Sequence, residues 1–449
     1  MLPAAAVLVT LAFTARAAYA VERTGRPNII VILTDDHGYA DVGFHGCQDI
    51  PTPHLDALAK AGAICTDGYV TCPVCSPTRA GLLTGRYQQR WGFDDNSWSA
   101  KTGLSVDAKT VADFLQSAGY STLALGKWHL GQLPQFRPLK RGFTDHYGFL
   151  GGGRSFLPLK ESEGVPFVPK DPDQVDLWRN EIRVEDPPYL TDALGDEAVA
   201  YIDRHKTDPF FIYLAFNAPH VPLQATDKYL QRFPSLQGAR RVYAAMLSAV
   251  DDAVGRITDK LQREQLDEST LIFFLSDNGG HPIANGAQNR PLRREKGTVY
   301  EGGIRVPFVV KWTGHVPAAK IYTQPVVSLD IAATALAAAG VASPTDNPLD
   351  GVDLIPYLAG RKPEPPHETL YWRFVDQRAI RQGKWKLMTP RGEPEALYDL
   401  ATDLSESTDV AAANPEIVAQ LRAAYANWDA QLPPARPRAP VSTKAVTTP

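Results

Sequence analysis

Four stretches of the chain are apolar without a break, and each stops at polar residues. Asn28-Ile29-Ile30-Val31-Ile32-Leu33 runs into Thr34-Asp35-Asp36-His37, and Ser121-Thr122-Leu123-Ala124-Leu125 into Gly126-Lys127-Trp128-His129. Phe210 to Phe216 runs into Asn217-Ala218-Pro219-His220, and Thr270 to Leu275 into Ser276-Asp277-Asn278-Gly279. Continuous β-branched and aromatic runs of this length are the pattern of strands covered on both faces, as in a parallel sheet. Between them the apolar spacing becomes helical, at Pro53 to Gly62, Asp107 to Ala118, Leu190 to His205, Arg240 to Arg263 and Leu329 to Ala339. Val306 to Val310 is a further strand candidate. Strands alternating with helices predict an α/β fold, a mostly parallel sheet flanked by helices.

The pattern fails from about Pro134 to Pro188, where Gly151-Gly152-Gly153 and many prolines predict long loops. Beyond Asn347 to Pro366, short alternating segments predict a smaller C-terminal antiparallel sheet, followed by a helix from about Pro415 to Ala430. The Pro-rich tail, residues 433–449, is expected to be disordered. The 449 residues show no internal repeat.

Composition narrows the function classes. A formal net charge of −4 argues against nucleic-acid binding, so any anion recognition must be local. Residues 1–20, Ala-rich and ending Ala18-Tyr19-Ala20, read as a signal peptide cut after Ala20. No stretch is long and apolar enough for stable membrane insertion, so an exported protein, periplasmic or extracellular, is expected. Cys47, Cys65, Cys72 and Cys75 all lie within thirty residues, which is not a disulfide scaffold.

The chemistry gathers at the strand ends. In open α/β sheets, ligands bind beyond the carboxyl ends of the strands, so parallel neighbours would aim Asp35-Asp36, Lys127 with His129, His220 and Asp277-Asn278 into one crevice. Asp35, Asp36, Asp277 and Asn278 offer hard oxygen ligands. With no other cation in place three carboxylates would repel one another, and a divalent ion, Ca²⁺ or Mg²⁺, removes that conflict. Lys127 and His129, one residue apart, would share a side in extended chain. Lys296 precedes Gly297-Thr298 in a glycine-containing loop. Cys75-Ser76-Pro77-Thr78-Arg79 reads as a loop turning into a helix that Gly85 ends, with the thiol where the helix dipole favours anions and Arg79 one turn on.

Together these residues carry a resemblance. The chain resembles the formylglycine-dependent sulfatases of the alkaline-phosphatase-like superfamily, from Arg26-Pro27-Asn28 to at least Met388. Cys75-Ser76-Pro77-Thr78-Arg79, with its continuation to Gly85-Arg86, is similar to the Cys-X-Pro-X-Arg maturation sequence. Gly126-Lys127-Trp128-His129-Leu130-Gly131, Asp35-Asp36, Asp277-Asn278-Gly279 and Lys296-Gly297-Thr298 through Pro307 match as well. The resemblance implies an alkaline-phosphatase-like fold, with 27–365 the catalytic domain and 366–432 a C-terminal α+β subdomain. It implies that a maturation enzyme oxidises Cys75 to formylglycine in the unfolded chain. It assigns Asp35, Asp36, Asp277, Asn278 and modified Cys75 to one Ca²⁺ site, and places Arg79, Lys127, His129, His220 and Lys296 around the sulfate. The implied reaction is sulfate-ester hydrolysis through a covalent sulfo-enzyme intermediate. Asp277 would accept the diol proton, His220 or Lys296 would protonate the leaving oxygen, and His129 would deprotonate the second hydroxyl.

Three other classes compete. A phosphoesterase of the same superfamily commonly holds two metals with His ligands, whereas this chain shows oxygen ligands for one. A thiol-disulfide protein built on Cys72-Pro73-Val74-Cys75 leaves the acidic strand ends unexplained. A non-catalytic binding protein is disfavoured because every candidate catalytic position is filled. The expected substrate is a sulfated carbohydrate, with Trp91 to Asp95 and Trp178-Arg179 as candidate sugar contacts. Arg154 and Ser155 lie where some family members contact sulfate, and neither is assigned.

Overall fold

The computed structural model describes residues 25–96, 103–162 and 164–435. The signal-peptide expectation for 1–20, and all but three residues of the 433–449 tail, lie outside the described residues. Along the chain come β1 (Asn28–Thr34), β2 (Ala63–Cys65), β3 (Gly68–Tyr69), β4 (Ser121–Lys127), β5 (Asp145–Phe149), β6 (Leu177–Arg179), β7 (Ile182–Val184) and β8 (Phe210–Ala215). They are followed by β9 (Thr270–Ser276), β10 (Phe308–Lys311), β11 (Lys320–Tyr322), β12 (Val326–Val327), β13 (Thr369–Phe374), β14 (Gln377–Gln382), β15 (Trp385–Thr389) and β16 (Ala396–Asp399).

Ten of these form one sheet in the order β11-β2-β10-β9-β1-β8-β4-β5-β6-β7. The four apolar runs of the sequence are its centre, β9-β1-β8-β4. They are parallel throughout, with Val31 opposite both Tyr213 and Phe273 and Ala124 opposite Tyr213. All seven residues of β1 are buried, because helices cover both faces. Ile29, Val31 and Leu33 pack with Leu82, Leu83, Val111, Ile331 and Leu336 on one side. Ile30 and Ile32 pack with Leu194, Met246 and Val250 on the other. At about 1.5–3 kcal/mol for each fully buried aliphatic side chain, these two layers hold the strand ends in fixed register. The fold class is as expected, an α/β sheet flanked by helices with a small antiparallel sheet after it.

Several local expectations needed adjustment. The helix expected from Asp107 begins at Val111, because Thr110 and Asp113 form a reciprocal capping box, with Asp113 Oδ2 accepting from Thr110 N at 2.7 Å. Within 134–188, expected to be loops, β5 pairs in parallel with β4 and two short strands extend the edge. β10 lies antiparallel to β9.

The C-terminal strands β13 to β16 form a four-stranded antiparallel sheet in sequence order. The helix Pro415–Asp429 packs on it through Leu421, Tyr425 and Trp428. Trp372 of β13 reaches across to the segment after β3, donating its indole N–H to Val70 O at 2.7 Å. Among the described residues no helix is long and apolar enough to cross a membrane.

Candidate active site

Beyond the carboxyl ends of β1, β4, β8 and β9, the strand-end residues meet in one crevice. Asp35, Asp36, Asp277 and Asn278 are buried. Cys75 is the first residue of the buried helix Cys75–Thr84, which Gly85 ends in the left-handed region. This helix brings Cys75 Sγ to 3.5 Å from both Asp35 Oδ1 and Lys296 Nζ. Arg79, wholly buried, donates through Nε and Nη2 to Asp277 Oδ2 at 3.0 and 2.7 Å and through Nη1 to Lys127 O. Lys127 Nζ lies 2.5 Å from Asp35 Oδ2, and Lys296 Nζ 2.6 Å from Asp36 Oδ1. His220 Nε2 is 3.6 Å from Asp36 Oδ2, while its Nδ1 donates to Val221 O at 2.5 Å.

This arrangement sharpens the reading of these residues. The carboxylates do not face one another uncompensated, since Arg79, Lys127 and Lys296 stand against Asp35, Asp36 and Asp277, three charges on each side. Repulsion alone therefore does not require a metal. The helix N-terminus does not make Cys75 a thiolate, because burial and the Asp35 charge push its thiol up to about 12. Lys127 and His129 both reach the crevice, but not by strand alternation: β4 ends at Lys127 and His129 turns back at φ +59°.

The protonation states follow from the same neighbours. Burial disfavours ionisation of Asp35, but Lys127, His220 and Arg79 outweigh it and hold the carboxyl below the usual range. Asp277, buried beside Asp35, rises to about 6 despite Arg79. Burial, with Lys127 and Arg79, drives His129 well below its ordinary value, so its ring is neutral. His220 is also lowered by burial, against the pull of Asp36.

A calcium ion fits this donor set. Asn278 donates its amide to Asp36 Oδ1 at 2.7 Å, while its own Oδ1 is buried without a partner. An orphaned buried oxygen among carboxylates is what a hard cation satisfies. Asp35, Asp36, Cys75 and His220 present ligand atoms within 4.8 Å of one another. Asp277 lies outside that group; its Oδ2 accepts from Arg79 and its Oδ1 from Asp36 N at 3.4 Å. A cavity of about 380 Å³ opens from this cluster, reached by Asp36, His129, His220 and Lys296 and bordered by Gly152, Phe167 and His281.

The family model described as Sulfatase matches residues 27–341, most of the chain. The chain belongs to the sulfatase family. A second model, N-sulphoglucosamine sulphohydrolase, C-terminal, matches residues 294–430. The sulfatase is 34% identical to pig (Sus scrofa) N-acetylgalactosamine-6-sulfatase over 380 residues, 80% of this chain and 71% of that one. It is 32% identical to human (Homo sapiens) arylsulfatase A over 453 residues, 88% of this chain and 86% of that one. Among solved structures it is similar to Ps i-CgsB, with a TM-score of 0.86, 39% identity and 92% and 94% of the two chains covered. The sulfatase is thus an enzyme that hydrolyses sulfate esters.

Other positions singled out in the sequence have structural duties in this sulfatase. Trp178 is buried, with Arg137 and Arg183 over its ring at 4.5 and 5.0 Å, and is not an open sugar platform. Phe93 is buried, and Asp94 pairs with Arg373. Arg154 pairs with Asp186, and Ser155 bonds Ser162 and Gln224. Gly152 occupies the place beside His129, where a Cβ would come within 2.6 Å of the imidazole Nε2. Cys72 and Cys75 are both free thiols.

The Glu301 to Pro307 part of the motif divides from the site. Glu301 and Arg305 turn toward the C-terminal sheet, where Lys386 Nζ lies 2.8 Å from Glu301 Oε1 and 2.7 Å from Glu406 Oε1. Asp67 receives Arg305 at 2.5 Å and Arg381 at 2.7 Å. Sequence reasoning missed this junction, because its partners lie far apart along the chain. A cavity of about 660 Å³ beside Asp67, Arg305 and Arg381 shares no residue with the cavity at the strand ends.

Proposed function

We propose that this sulfatase removes sulfate from a sulfated carbohydrate, using formylglycine derived from Cys75 and one Ca²⁺. The observation that carries this reading is the placement of Cys75 at a buried helix N-terminus between an Asp35 oxygen and the Lys296 ammonium, within a cage of balanced charge. An oxygen substituent there has an acceptor and a donor ready at 3.5 Å, whereas the thiol itself is held protonated. Asp35, Asp36, Asp277, Asn278 and modified Cys75 would hold the ion. When present, the hydrated aldehyde supplies a hydroxyl nucleophile and the ion supplies Lewis acidity and two positive charges.

This chain's own residues do the rest. Arg79, Lys127 and Lys296 stabilise charge on the transferring sulfate, as preorganised cations in a dry site do best. Asp277, held by Arg79 at 2.7 Å, would accept the proton from the attacking hydroxyl. Lys296, kept protonated by Asp36, is one donor to the leaving oxygen. His220 is the other, once Nε2 as well as Nδ1 carries a proton. His129, neutral and with Nδ1 unpartnered, takes the proton in the second half of the reaction.

The carbohydrate preference is supported by relatives: N-acetylgalactosamine-6-sulfatase by name, and the structure of Ps i-CgsB in complex with k-i-k-neocarrahexaose. Export, with residues 1–20 as a cleaved leader, and a maturation enzyme as partner complete the proposal. Mass spectrometry of the Cys75 peptide tests the modification, with a formylglycine mass expected; an unmodified thiol in fully active enzyme would overturn it. Sulfate release from a panel of sulfated oligosaccharides tests the substrate class.

A further inference from the structure

Phe167 is unusual twice over. The residue is 68% exposed, and its backbone sits at φ +69°, where a bulky L-residue is an outlier. Exposure forgoes the burial that normally stabilises a phenyl ring, and the left-handed backbone adds a conformational cost. Both peculiarities fall at the rim of the catalytic cavity, which Phe167 borders together with His129, His220 and Lys296. Of the large apolar residues exposed among the described residues, Phe167 alone is aromatic.

The loop that carries it is pinned at both ends. Gly151 N donates to Gln174 O at 2.9 Å, closing the segment at its base. Ser162 is held by Ser155 and by Gln224 Nε2 at 3.1 Å. Beside His129 the crevice has only the backbone of Gly152, where a Cβ would strike the ring. Pro169 and Gln174 of the same segment line this cavity together with Phe167.

We infer that Phe167 is a specificity-determining residue, a stacking platform for the sugar ring that bears the scissile sulfate. This inference rests on the carbohydrate reading above. A pyranose presents a face of C–H bonds, and the electron-rich face of a phenyl ring suits it. The sulfate enters between Lys296 and His220, and the ring carrying it rests at the cavity mouth against Phe167. Small sulfate esters lacking such a face lose that contact, so the platform selects for saccharides through KM.

The test uses the best substrate from a panel of sulfated hexose and hexosamine oligosaccharides, with inorganic sulfate as a competitive inhibitor that needs only the anion pocket. Phe167→Gly removes the ring and keeps the positive φ at no steric cost. KM for the oligosaccharide is expected to rise about tenfold, while Ki for inorganic sulfate moves less than twofold. Phe167→Trp is expected to restore most of the loss. A wild type that desulfates the oligosaccharide, with KM within twofold in Phe167→Gly, overturns the platform and leaves the carbohydrate reading standing. A Ki that rises in step with KM also overturns it, since the change would then be a distortion of the anion pocket. A wild type that releases sulfate from none of the panel overturns the carbohydrate reading itself.

Discussion

The catalytic cluster sets Asp35, Asp36 and Asp277 against Arg79, Lys127 and Lys296, and the junction with the C-terminal sheet sets Asp67, Glu301 and Glu406 against Arg305, Arg381 and Lys386. Both clusters are buried and both balance three charges against three, yet they behave differently. At the junction every carboxylate is shared: Glu301 Oε2 also accepts from Tyr69 Oη at 2.6 Å, and Glu406 Oε2 from Glu301 N at 2.8 Å. None of its charged atoms is left without a partner. In the crevice, by contrast, Asn278 Oδ1 and His129 Nδ1 are orphaned. Equal charge counts thus separate a latch, whose bonds are complete, from a site whose unmet valences are its means of binding something else.

The comparison can be broken by substitution. Cys75→Ala should lower sulfate release by about 10³-fold or more while the thermal midpoint stays close to wild type; retained turnover would remove Cys75 from the chemistry. Asp277→Ala should abolish calcium binding measured by calorimetry and cost about 10²-fold in activity. Chelation should lower the melting temperature of the wild type but not of this variant, since a ligand bound only by the folded state stabilises it; undiminished calcium affinity would show the metal site to be misplaced. Lys386→Met should do the reverse of Cys75→Ala, destabilising by about 3–5 kcal/mol because two buried carboxylates lose their shared cation. Its kcat per folded molecule should be close to normal, and denaturant melts beside active-site titration check both halves.

The smallest effect is a pH slope. Burial and the Glu301 charge push Glu406 up to about 7, whereas Lys386 and Arg305 bring Glu301 down to about 2 against its burial. An acid whose folded pKa is raised binds more protons folded than unfolded, so the Glu406 contribution is complete below its ordinary pKa and fades as pH rises through 7. Glu301 does the opposite, its contribution being lost as pH falls toward 2. Glu406→Gln should therefore flatten the decline of stability between about pH 4.5 and 7, a slope of at most about 1.4 kcal/mol per pH unit. An unchanged slope would assign the titration to another group.

The sequence revealed what repeats or clusters locally. The core strands were legible because both faces of β1, β4, β8 and β9 are covered, which leaves no polar residue to interrupt them. Their ends were legible because Asp35-Asp36 and Asp277-Asn278 stand where a core has no use for them. β5 was not, since Asp145, His146 and Gly148 dilute its apolar pattern, and Gly148 is needed where a Cβ would fall 2.0 Å from Gly126 O. The junction was hidden for a related reason. In the strand Trp385–Thr389, Lys386 reads as solvent-facing, yet one face of that sheet packs on the C-terminal helix and the other on the catalytic part, leaving Lys386 wholly buried. Phe167 was invisible because a lone aromatic in a loop carries no periodicity.

Cys75, Ser76, Pro77, Thr78 and Arg79 are all buried inside the folded protein, with Cys75 1% exposed. Any agent that oxidises Cys75 must therefore act before the helix docks, and the outcome is fixed for the lifetime of each molecule. Under the proposed formylglycine chemistry, a preparation is then a frozen mixture of competent and inert copies. Batches made under different conditions will differ in apparent kcat while sharing one KM, and exposing the folded protein afterwards to the modifying agent will not change the ratio.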